Sequence, residues 1–487
     1  MFCMHGRCRR GVEGRICCAI VLGLLYPIGP PSFAQVLPTV TQQQTPQNPP
    51  AEGGEVPRQE ENKNTQAKIQ NQRWNIFWQA TSIGQYHGNF PSPYEGVNSL
   101  RDTPERDVSL TSTLYFGLRL FENTEIYLDG ELAGGKGFSG VTGIADFPNG
   151  EMPRVATATP KPYLARAYIQ QDFGFGSKRE NFESEENQLA GSRPMVRYTL
   201  IVGKFSAEDF FDNNSYSHDP RTQFMSWGTM YNGAFDYPAD TRGYTWGWVH
   251  ELHLTNWSFR YGAMAEPTVA NGSQFDRRIF RDRGDVFEIE RRYAPGTHQG
   301  TIRLMSFLLH TDSGTYSEAI QLAQKTHATP DITLTRQPGT LKYGFGISAE
   351  QAITSDTGVF TRLGWNDGKT ESFVFTAIDR IATGGVSIAG RRWKRPQDTA
   401  ATALSVAGLS AVHAQYLALG GLDFLIGDGR LRYAPEYVWE TYYSAKLLPG
   451  FFATFDLQYV NNPAYNQDRG PVWVESIRLH IEMGNRK

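Results

Sequence analysis

The feature that most constrains this chain is a period-two alternation of apolar and polar residues, which recurs from Trp74 to the C-terminus. In residues 114–120, Leu and Phe alternate with Tyr, Gly and Arg, and in residues 126–132, Ile, Leu and Gly alternate with Tyr, Asp and Glu. The residues between these two runs form a tight turn, so together they predict a β-hairpin. Further alternating runs occupy residues 163–170, 244–252, 257–261, 287–290, 343–350, 453–459 and 476–481. A chain built from such runs is an all-β protein.

Alternation alone does not separate a soluble sandwich from a membrane barrel, because the strands of both have one apolar and one polar face. The runs here are about 9–12 residues long, as a tilted strand that crosses a bilayer requires. Aromatic residues crowd the ends of the runs, as with Trp74, Phe77 and Trp78, and such girdles are typical of membrane interfaces. No run of 18 apolar residues follows the N-terminal segment, so no transmembrane helix is predicted.

The connections also favour a barrel. Short turns are predicted at residues 122–124, 254–256, 366–368 and 427–429, and long connections at residues 177–195, 265–285 and 311–341, with a helix at residues 316–325. Bacterial outer-membrane barrels alternate short periplasmic turns with long extracellular loops and have an even number of strands. From 16 or 17 candidate strands, we predict a transmembrane antiparallel β-barrel of about 16 strands, with long extracellular loops and short periplasmic turns.

The N-terminal part of the chain has a different character. Four arginines precede an apolar stretch at residues 16–28, and Ser32 and Ala34 supply the small residues of a cleavage site, which predicts a signal peptide over residues 1–34. It contains all four cysteines, so the mature protein is predicted to have no disulfide and no thiolate. Residues 35–72, rich in Gln, Pro, Asn and Glu, predict a disordered periplasmic linker, and residues 73–487 form the predicted barrel domain.

Six segments carry a resemblance to a known family. They are LRLFENTEIYLDGELAGGKG at residues 118–137, GKFSAEDFFDNNSYSHDPRTQFMSW at residues 203–227, GAFDYPADTRGYTWG at residues 233–247, GVFTRLGWNDGKTESFVFTAID at residues 358–379, YLALGGLDFLIGDGRLRYAPEYVWETYYS at residues 416–444 and LQYVNNPAYNQDRGPVWVESIRLHIE at residues 457–482. They resemble the carbohydrate-selective porin family (OprB type) of Gram-negative outer membranes. The resemblance implies a barrel of about 16 strands that passes monosaccharides such as glucose by passive diffusion through a constricted pore. The chain departs from the common barrel pattern by ending on Lys487 rather than on an aromatic residue.

The inward face of such a barrel decides its selectivity. A sugar presents hydroxyl groups and flat apolar faces, so a selective pore needs charged or amide side chains together with an aromatic ring. The alternative to a role in sugar selection is that each inward charge is a solvated group or part of an ion pair in the wall. Together, the charges on the inward face favour a barrel, because a charge that faced lipid at the midplane of the bilayer would cost roughly 2–4 kcal/mol. Candidates of inward parity are Glu131, Arg166, Gln170, Glu251, Arg260, Glu290, Arg303, Glu350 and Glu440.

Residues 210–227 break the alternation and are dense in Asp, Asn, His and aromatic residues. One interpretation is a constriction loop that folds into the lumen. Its predicted solute contacts are Asp212, Asn213, His218 and Arg221, with Trp227 as a stacking surface. The alternative is an ordinary loop held by the side chains of Asn and Asp. A calcium ion held by Asp209, Asp212 and Asp219 is disfavoured by their spacing, and no metal or cofactor is predicted.

A general diffusion porin without sugar preference remains the main alternative, followed by an outer-membrane hydrolase or an adhesin. The chain has no Gly-x-Ser-x-Gly and no His-Glu-x-x-His motif, so it is not predicted to be an enzyme. The net charge of -3 gives no support to nucleic-acid binding. The expected partners are small neutral sugars, outer-membrane lipids and lipopolysaccharide. The basic residues 391–395 could face the lipopolysaccharide. The expected assembly is a monomer or homotrimer.

Overall fold

Sixteen antiparallel strands close into one barrel. The structure, a computed structural model, describes residues 71–152 and 158–484, so the predicted signal peptide and nearly all of the predicted linker lie outside the described residues. Each strand pairs with its neighbours along the chain, and the first strand pairs with the last. The predicted fold class is therefore confirmed.

The strands are β1 (Trp74–His87), β2 (Glu105–Phe121), β3 (Thr124–Gly135), β4 (Lys161–Phe182), β5 (Gly191–Phe205), β6 (Thr245–His253), β7 (Trp257–Ala265), β8 (Arg283–Tyr293), β9 (Gly300–Ser313), β10 (Gln337–Ala352), β11 (Thr357–Asn366), β12 (Arg380–Ala389), β13 (Thr399–Gly408), β14 (Glu436–Leu448), β15 (Phe451–Asn461) and β16 (Val472–Gly484). The α-helices are α1 (Trp227–Met230), α2 (Tyr316–Thr326) and α3 (Ala411–Ala418). The helix predicted at residues 316–325 is confirmed as α2. Among the described residues, no helix has both the length and the apolar character needed to cross a bilayer.

The two faces of the strands have opposite chemistry. On β9, Ile302, Leu304 and Leu308 point outward, and Leu304 is 49% exposed. Arg303 and Thr311 point inward on the same strand and are buried. A soluble sandwich would bury the aliphatic side chains and expose the arginine, whereas a barrel in lipid does the reverse. The alternation along the strands is therefore that of a membrane barrel.

The connections differ in length at the two ends of the barrel. The long loops are L1 (residues 88–104), L2 (136–160), L3 (206–244), L4 (266–282), L5 (314–336), L6 (367–379), L7 (409–435) and L8 (462–471). The connections at the other end are T1 (residues 122–123), T2 (183–190), T3 (254–256), T4 (294–299), T5 (353–356), T6 (390–398) and T7 (449–450). We call the two ends the long-loop end and the short-turn end.

The structure corrects three of the predicted connections. The turns predicted at residues 122–124 and 254–256 join strands at the short-turn end, as expected. Those predicted at residues 366–368 and 427–429 lie at the long-loop end, where Asp and Gly shape bends inside L6 and L7. The long connection predicted at residues 177–195 is mostly strand, because β4 and β5 extend through it. The basic residues 391–395 lie in T6, so they are at the opposite end from the long loops.

The long loops fold into the lumen and form a hydrophobic core there. Trp227 of L3 stacks on Phe147 of L2, with ring centroids 5.0 Å apart. Phe235 of L3 packs on the inward-facing Phe307 of β9, also at 5.0 Å. The same cluster includes buried aliphatic side chains from L6 and L7. The long loops contain many apolar residues. By packing together inside the lumen, these residues remove their side chains from water.

A buried histidine joins three of the loops. His413 of α3 lies 3.1 Å from Asp379 of L6 and 3.4 Å from Asp423 of L7, measured from its ring nitrogens to their carboxylate oxygens. Its ring stacks on Tyr316 of L5, with centroids 4.1 Å apart. Burial opposes protonation, but the two carboxylates outweigh it and raise the pKa of His413 to about 9. The imidazolium therefore holds L5, L6 and L7 together at neutral pH.

This interaction predicts a pH dependence. Because the pKa of His413 is higher in the folded protein than in an unfolded chain, its contribution is complete below about pH 6.5 and disappears as pH rises through about 9. We expect hydrogen exchange in residues 409–435 to accelerate over this range in the wild type, relative to its intrinsic rate. The variant H413Q is expected to exchange fast at every pH. The same change in T4, H298Q, serves as the control, and a wild-type loop insensitive to pH would contradict the interaction.

Candidate pore constriction

The loop L3 enters the lumen at the end of β5 and presents a carboxylate to the wall. Its first turn is a capping box, in which the Ser206 N–H donates to Asp209 Oδ2 at 2.8 Å. This turn fixes Asp209 opposite Arg166 of β4. The guanidinium donates to both carboxylate oxygens, from Nε at 2.7 Å and from Nη2 at 2.5 Å. Such a bidentate pair fixes the plane of the guanidinium as well as its position.

Arg166 has two further partners. Its Nη1 donates to Asp129 Oδ2 of β3 at 3.2 Å, and its guanidinium carbon lies 5.3 Å from the centre of the Tyr244 ring. The side chains of Arg166 and Asp209 remain 12% and 17% exposed, so this ion pair is partly open to solvent, whereas the side chain of Asp129 is fully buried. We call Arg166, Asp129, Asp209 and Tyr244 the Arg166 cluster. It offers donors, acceptors and an aromatic face within one small region of the lumen.

A second group lies beside it. Arg221 of L3 donates to Glu131 of β3 at 2.8 Å and to Glu151 of L2 at 3.1 Å. Glu131 also accepts hydrogen bonds from Thr113, at 2.7 Å, and from the hydroxyl of Tyr163. These contacts join L2 and L3 to β2, β3 and β4, so they fix the position of both loops next to the Arg166 cluster.

A β-bulge in β4 brings Tyr163 into this group. Asp129 is paired with Arg166, but the next residue of β3, Gly130, is paired with Leu164, so Ala165 is an extra residue in β4. A bulge of one residue reverses the parity of the strand beyond it. Simple alternation places Tyr163 on the face opposite Arg166, and that prediction is wrong. Both side chains face the lumen, and Arg242 of L3 lies over the Tyr163 ring at 4.3 Å.

Four of the predicted lumen residues form an ion-pair ladder along the wall. Arg260 donates to Glu290 at 3.1 Å, Arg303 donates to Glu290 at 3.0 Å, and Arg303 also reaches Glu350 at 3.4 Å. The ladder holds L3 as well, because Glu350 accepts the Ser215 N–H at 2.5 Å. Three of these residues are buried and the side chain of Arg260 is only 9% exposed, so the ladder stabilises the wall and the loop.

Arg362 of β11 is the main anchor of L3. Its side chain is 1% exposed, and its Nε donates to Asp212 Oδ1 at 3.1 Å. The same guanidinium donates to the carbonyl oxygen of Thr229 at 3.0 Å and to that of Ser217. The Asp212 N–H in turn donates to Glu288 of the wall at 2.8 Å. Asp212 is therefore bonded on both sides to the barrel.

The other predicted contacts lie in L3 and in β4. Trp227 is 1% exposed in the lumen core, so the predicted stacking surface is corrected to a packing residue. Asp212 and Asn213 are buried within L3, which corrects their predicted contact with solute. His218 is half-buried and packs edge-on against Tyr231, with centroids 5.1 Å apart. Gln170 is half-buried and pairs in register with the inward-facing Glu125.

Sequence reasoning named Glu131, Arg166 and Arg221 as candidate lumen residues but did not name their contact partners Asp129, Asp209, Tyr163, Tyr244 and Arg242 as such. The capping-box spacing of Ser206 and Asp209 was a usable signal for a fixed carboxylate at the start of L3. The bulge that turns Tyr163 inward has no comparable local signal. Within residues 71–152 and 158–484, no group of three or more His, Cys, Asp and Glu side chains is suited to hold a metal ion.

Comparison with known proteins identifies the family. A model of the carbohydrate-selective porin, OprB family, matches residues 98–483, which is most of the chain. The chain belongs to the OprB family of carbohydrate-selective porins. The OprB-type resemblance of the sequence segments is thus confirmed. No curated protein matches the sequence.

One solved structure shares the fold of this barrel, and two others are similar to a lower degree. A high-pH structure of Pseudomonas putida OprB superposes with a TM-score of 0.64 at 14% identity, covering 84% of this chain and 94% of that one. A low-pH structure of the same protein gives 0.44 at 12% identity, covering 84% and 92%. The outer membrane channel DcaP of Acinetobacter baumannii gives 0.48 at 8% identity, covering 86% and 99%.

The family and the fold indicate a sugar porin of the Gram-negative outer membrane, a channel rather than an enzyme. In such barrels the long loops are extracellular and the short turns are periplasmic. The basic residues 391–395 in T6 are therefore on the periplasmic side, away from lipopolysaccharide, which occupies the outer leaflet.

The anchoring of L3 is testable with the variant R362A. It leaves the Asp212 carboxylate buried without its main partner, which costs roughly 3–5 kcal/mol for a buried pair. We expect L3 to become mobile, so that trypsin cuts after Arg221 in folded protein, as read by mass spectrometry of the fragments. The variant R277A, in exposed L4, is the control. Equal resistance of R362A and the wild type would contradict the anchoring role.

Proposed function

We propose that this porin passes monosaccharides such as glucose by passive diffusion, and that the Arg166 cluster is the constriction where they are selected. The observation that carries the proposal is the arrangement of Arg166 between Asp129 and Asp209, against the ring of Tyr244. Opposite charges stand within hydrogen-bonding distance across the junction of L3 and the wall. Solvent still reaches the side chains of both Arg166 and Asp209.

Sugar chemistry fits this arrangement. A guanidinium and a carboxylate together offer donors and acceptors to neighbouring hydroxyl groups, and the flat C–H face of a pyranose suits an aromatic ring. Paired opposite charges also produce a local transverse field, which favours a polar neutral solute over a simple ion. Glu131, Tyr163 and Arg242 extend the same chemistry beside the cluster. The wall ladder keeps L3 in place and so keeps the opening narrow.

We propose that residues 1–34 are removed on export as a signal peptide and that residues 35–72 remain as a periplasmic linker. The barrel is proposed to contact outer-membrane lipids and lipopolysaccharide and to work as a monomer or homotrimer. A general diffusion porin would discriminate by solute size alone, whereas the proposed channel discriminates by hydroxyl chemistry at equal size.

The proposal is tested by swelling of liposomes that contain the purified protein. We expect glucose to enter faster than neutral amino acids of similar size and faster than salts. The variant R166A should reduce the preference for glucose roughly tenfold, because a charge-assisted hydrogen bond contributes about 1.5 kcal/mol. The variant R277A, in exposed L4, should behave as the wild type.

Three results would point elsewhere. Equal entry of all solutes of one size would indicate a general diffusion porin. The absence of any entry through a correctly folded barrel would reject transport and favour an adhesin or a hydrolase. An R166A variant that keeps the full preference for glucose would leave the channel but reject the Arg166 cluster as its selective part.

A further inference from the structure

The hairpin of β4 and β5 carries a second element that reaches the lumen, from the periplasmic end. β4 is 22 residues long. Its pairing with β5 is interrupted between Phe175 and Arg179, where the structure has a bulge and Gly176 adopts a φ of 81°. A bulged strand bends at the bulge, and glycine tolerates a positive φ. Beyond this bend the hairpin turns toward the barrel axis, as the contacts of its far end show.

The far end of the hairpin is residues 183–190, which we call the hairpin tip. Asn75, near the periplasmic start of β1, donates from Nδ2 to the carbonyl oxygen of Gln188 at 2.8 Å and to Ser184 Oγ at 3.2 Å. The Leu189 N–H donates to the hydroxyl of Tyr127 on β3 at 3.3 Å. Ser184, Gln188 and Leu189 are buried. The tip therefore packs inside the barrel against β1 and β3, unlike a turn that points into the periplasm.

The hairpin is also held by charge. Arg193, just after the tip, donates to Glu125 of β3 at 2.5 Å. Arg119 of β2 bonds the other oxygen of Glu125 at 2.8 Å and reaches the carbonyl oxygen of Ala190 at 3.3 Å. Both arginines and Glu125 are buried. These buried ion pairs hold the hairpin in one position, because moving it away would leave a buried charge without its partner.

One residue of the tip reaches the Arg166 cluster. Asn187, at a φ of 55°, donates from Nδ2 to Asp129 Oδ2 at 2.9 Å. The same oxygen accepts the hydrogen bond from Arg166 at 3.2 Å. A single carboxylate oxygen thus joins the constriction, which L3 forms from the extracellular side, to a segment that enters from the periplasmic side.

We propose that the hairpin tip is a second selectivity element, which a solute passes after the Arg166 cluster on its way to the periplasm. Asn187 and its neighbour Glu186 supply amide and carboxylate groups, the same chemistry for hydroxyl groups that the first element supplies. The sugar preference of this element rests on the proposed function. The position of the hairpin tip in the solute path does not depend on the proposed function, because an ion current tests that position without any sugar.

The chain offers a clean test, since its cysteines all lie within residues 1–18. A single cysteine is introduced at N187C and treated with charged methanethiosulfonate reagents while single-channel currents are recorded in KCl. The matched control is T297C, in the exposed turn T4 at the same end of the barrel. We expect modification of N187C to reduce the conductance at least about twofold, because the added group narrows a water-filled path. Modification of T297C should leave the conductance unchanged.

Two results would overturn the proposal. In the first, N187C reacts but its conductance does not change, so the tip is outside the path. In the second, T297C reacts but N187C does not, so the tip is sealed from the aqueous lumen. If N187C does not fold, as judged by heat-modifiable mobility, E186C replaces it with the same expectations. Because the readout is an ion current, these results are distinct from a failure of glucose transport, which liposome swelling of the wild type reports.

Discussion

The pairing of β1 with β16 is the constraint on which the rest of the structure depends. Residues 77–87 of β1 pair with residues 474–484 of β16, and this ladder closes the sheet on itself. In the hydrocarbon core of a bilayer no water is available for unpaired N–H and C=O groups, so a sheet can cross it only when it has no free edge. Closure also fixes which face of each strand meets lipid. The outward faces of the strands are therefore apolar, and charged side chains such as Arg303 and Arg362 point into the lumen beside inward apolar ones such as Phe307.

Charged side chains that are buried in the lumen need partners of opposite charge or hydrogen-bond partners. Arg303 and Arg362 are buried, and they find their partners in wall carboxylates and in the backbone of L3. The pairing pulls a loop of 39 residues into the barrel and holds it there. Its aromatic residues then meet those of L2 and the wall in a common core. L3 thus lies inside the lumen because its buried charges and its apolar residues are both satisfied there, and the pair of Arg166 with Asp209 is one that solvent still reaches.

Much of the fold was predictable from the sequence because it is encoded locally. The alternation along the strands and the turn chemistry at residues 122–124 and 254–256 were sufficient for fold class and strand number. The same chemistry was misleading at residues 366–368 and 427–429, because Asp and Gly form tight bends in loops as readily as in hairpins. The length of β4 was missed for a related reason, since its periplasmic half has exposed polar residues on both faces.

The candidate site was less predictable because its geometry is set at long range. Arg166 and Glu131 follow from inward parity, but the contact of Arg362 with Asp212 joins residues 150 positions apart. Tyr163 was placed on the wrong face, because one extra residue in β4 reverses every side chain beyond it. Trp227 has the composition of a sugar-stacking residue, and only its position between Phe147 and Tyr231 shows that it belongs to the core.

The central claim is that sugars occupy the same narrow path that water and ions use. The most direct measurement is the ion current through single wild-type channels in a planar bilayer while glucose is added to both sides. We expect a reversible decrease in current that saturates with glucose concentration, since a bound sugar excludes ions from the constriction. A conductance that falls only in proportion to the viscosity of the solution would contradict the account.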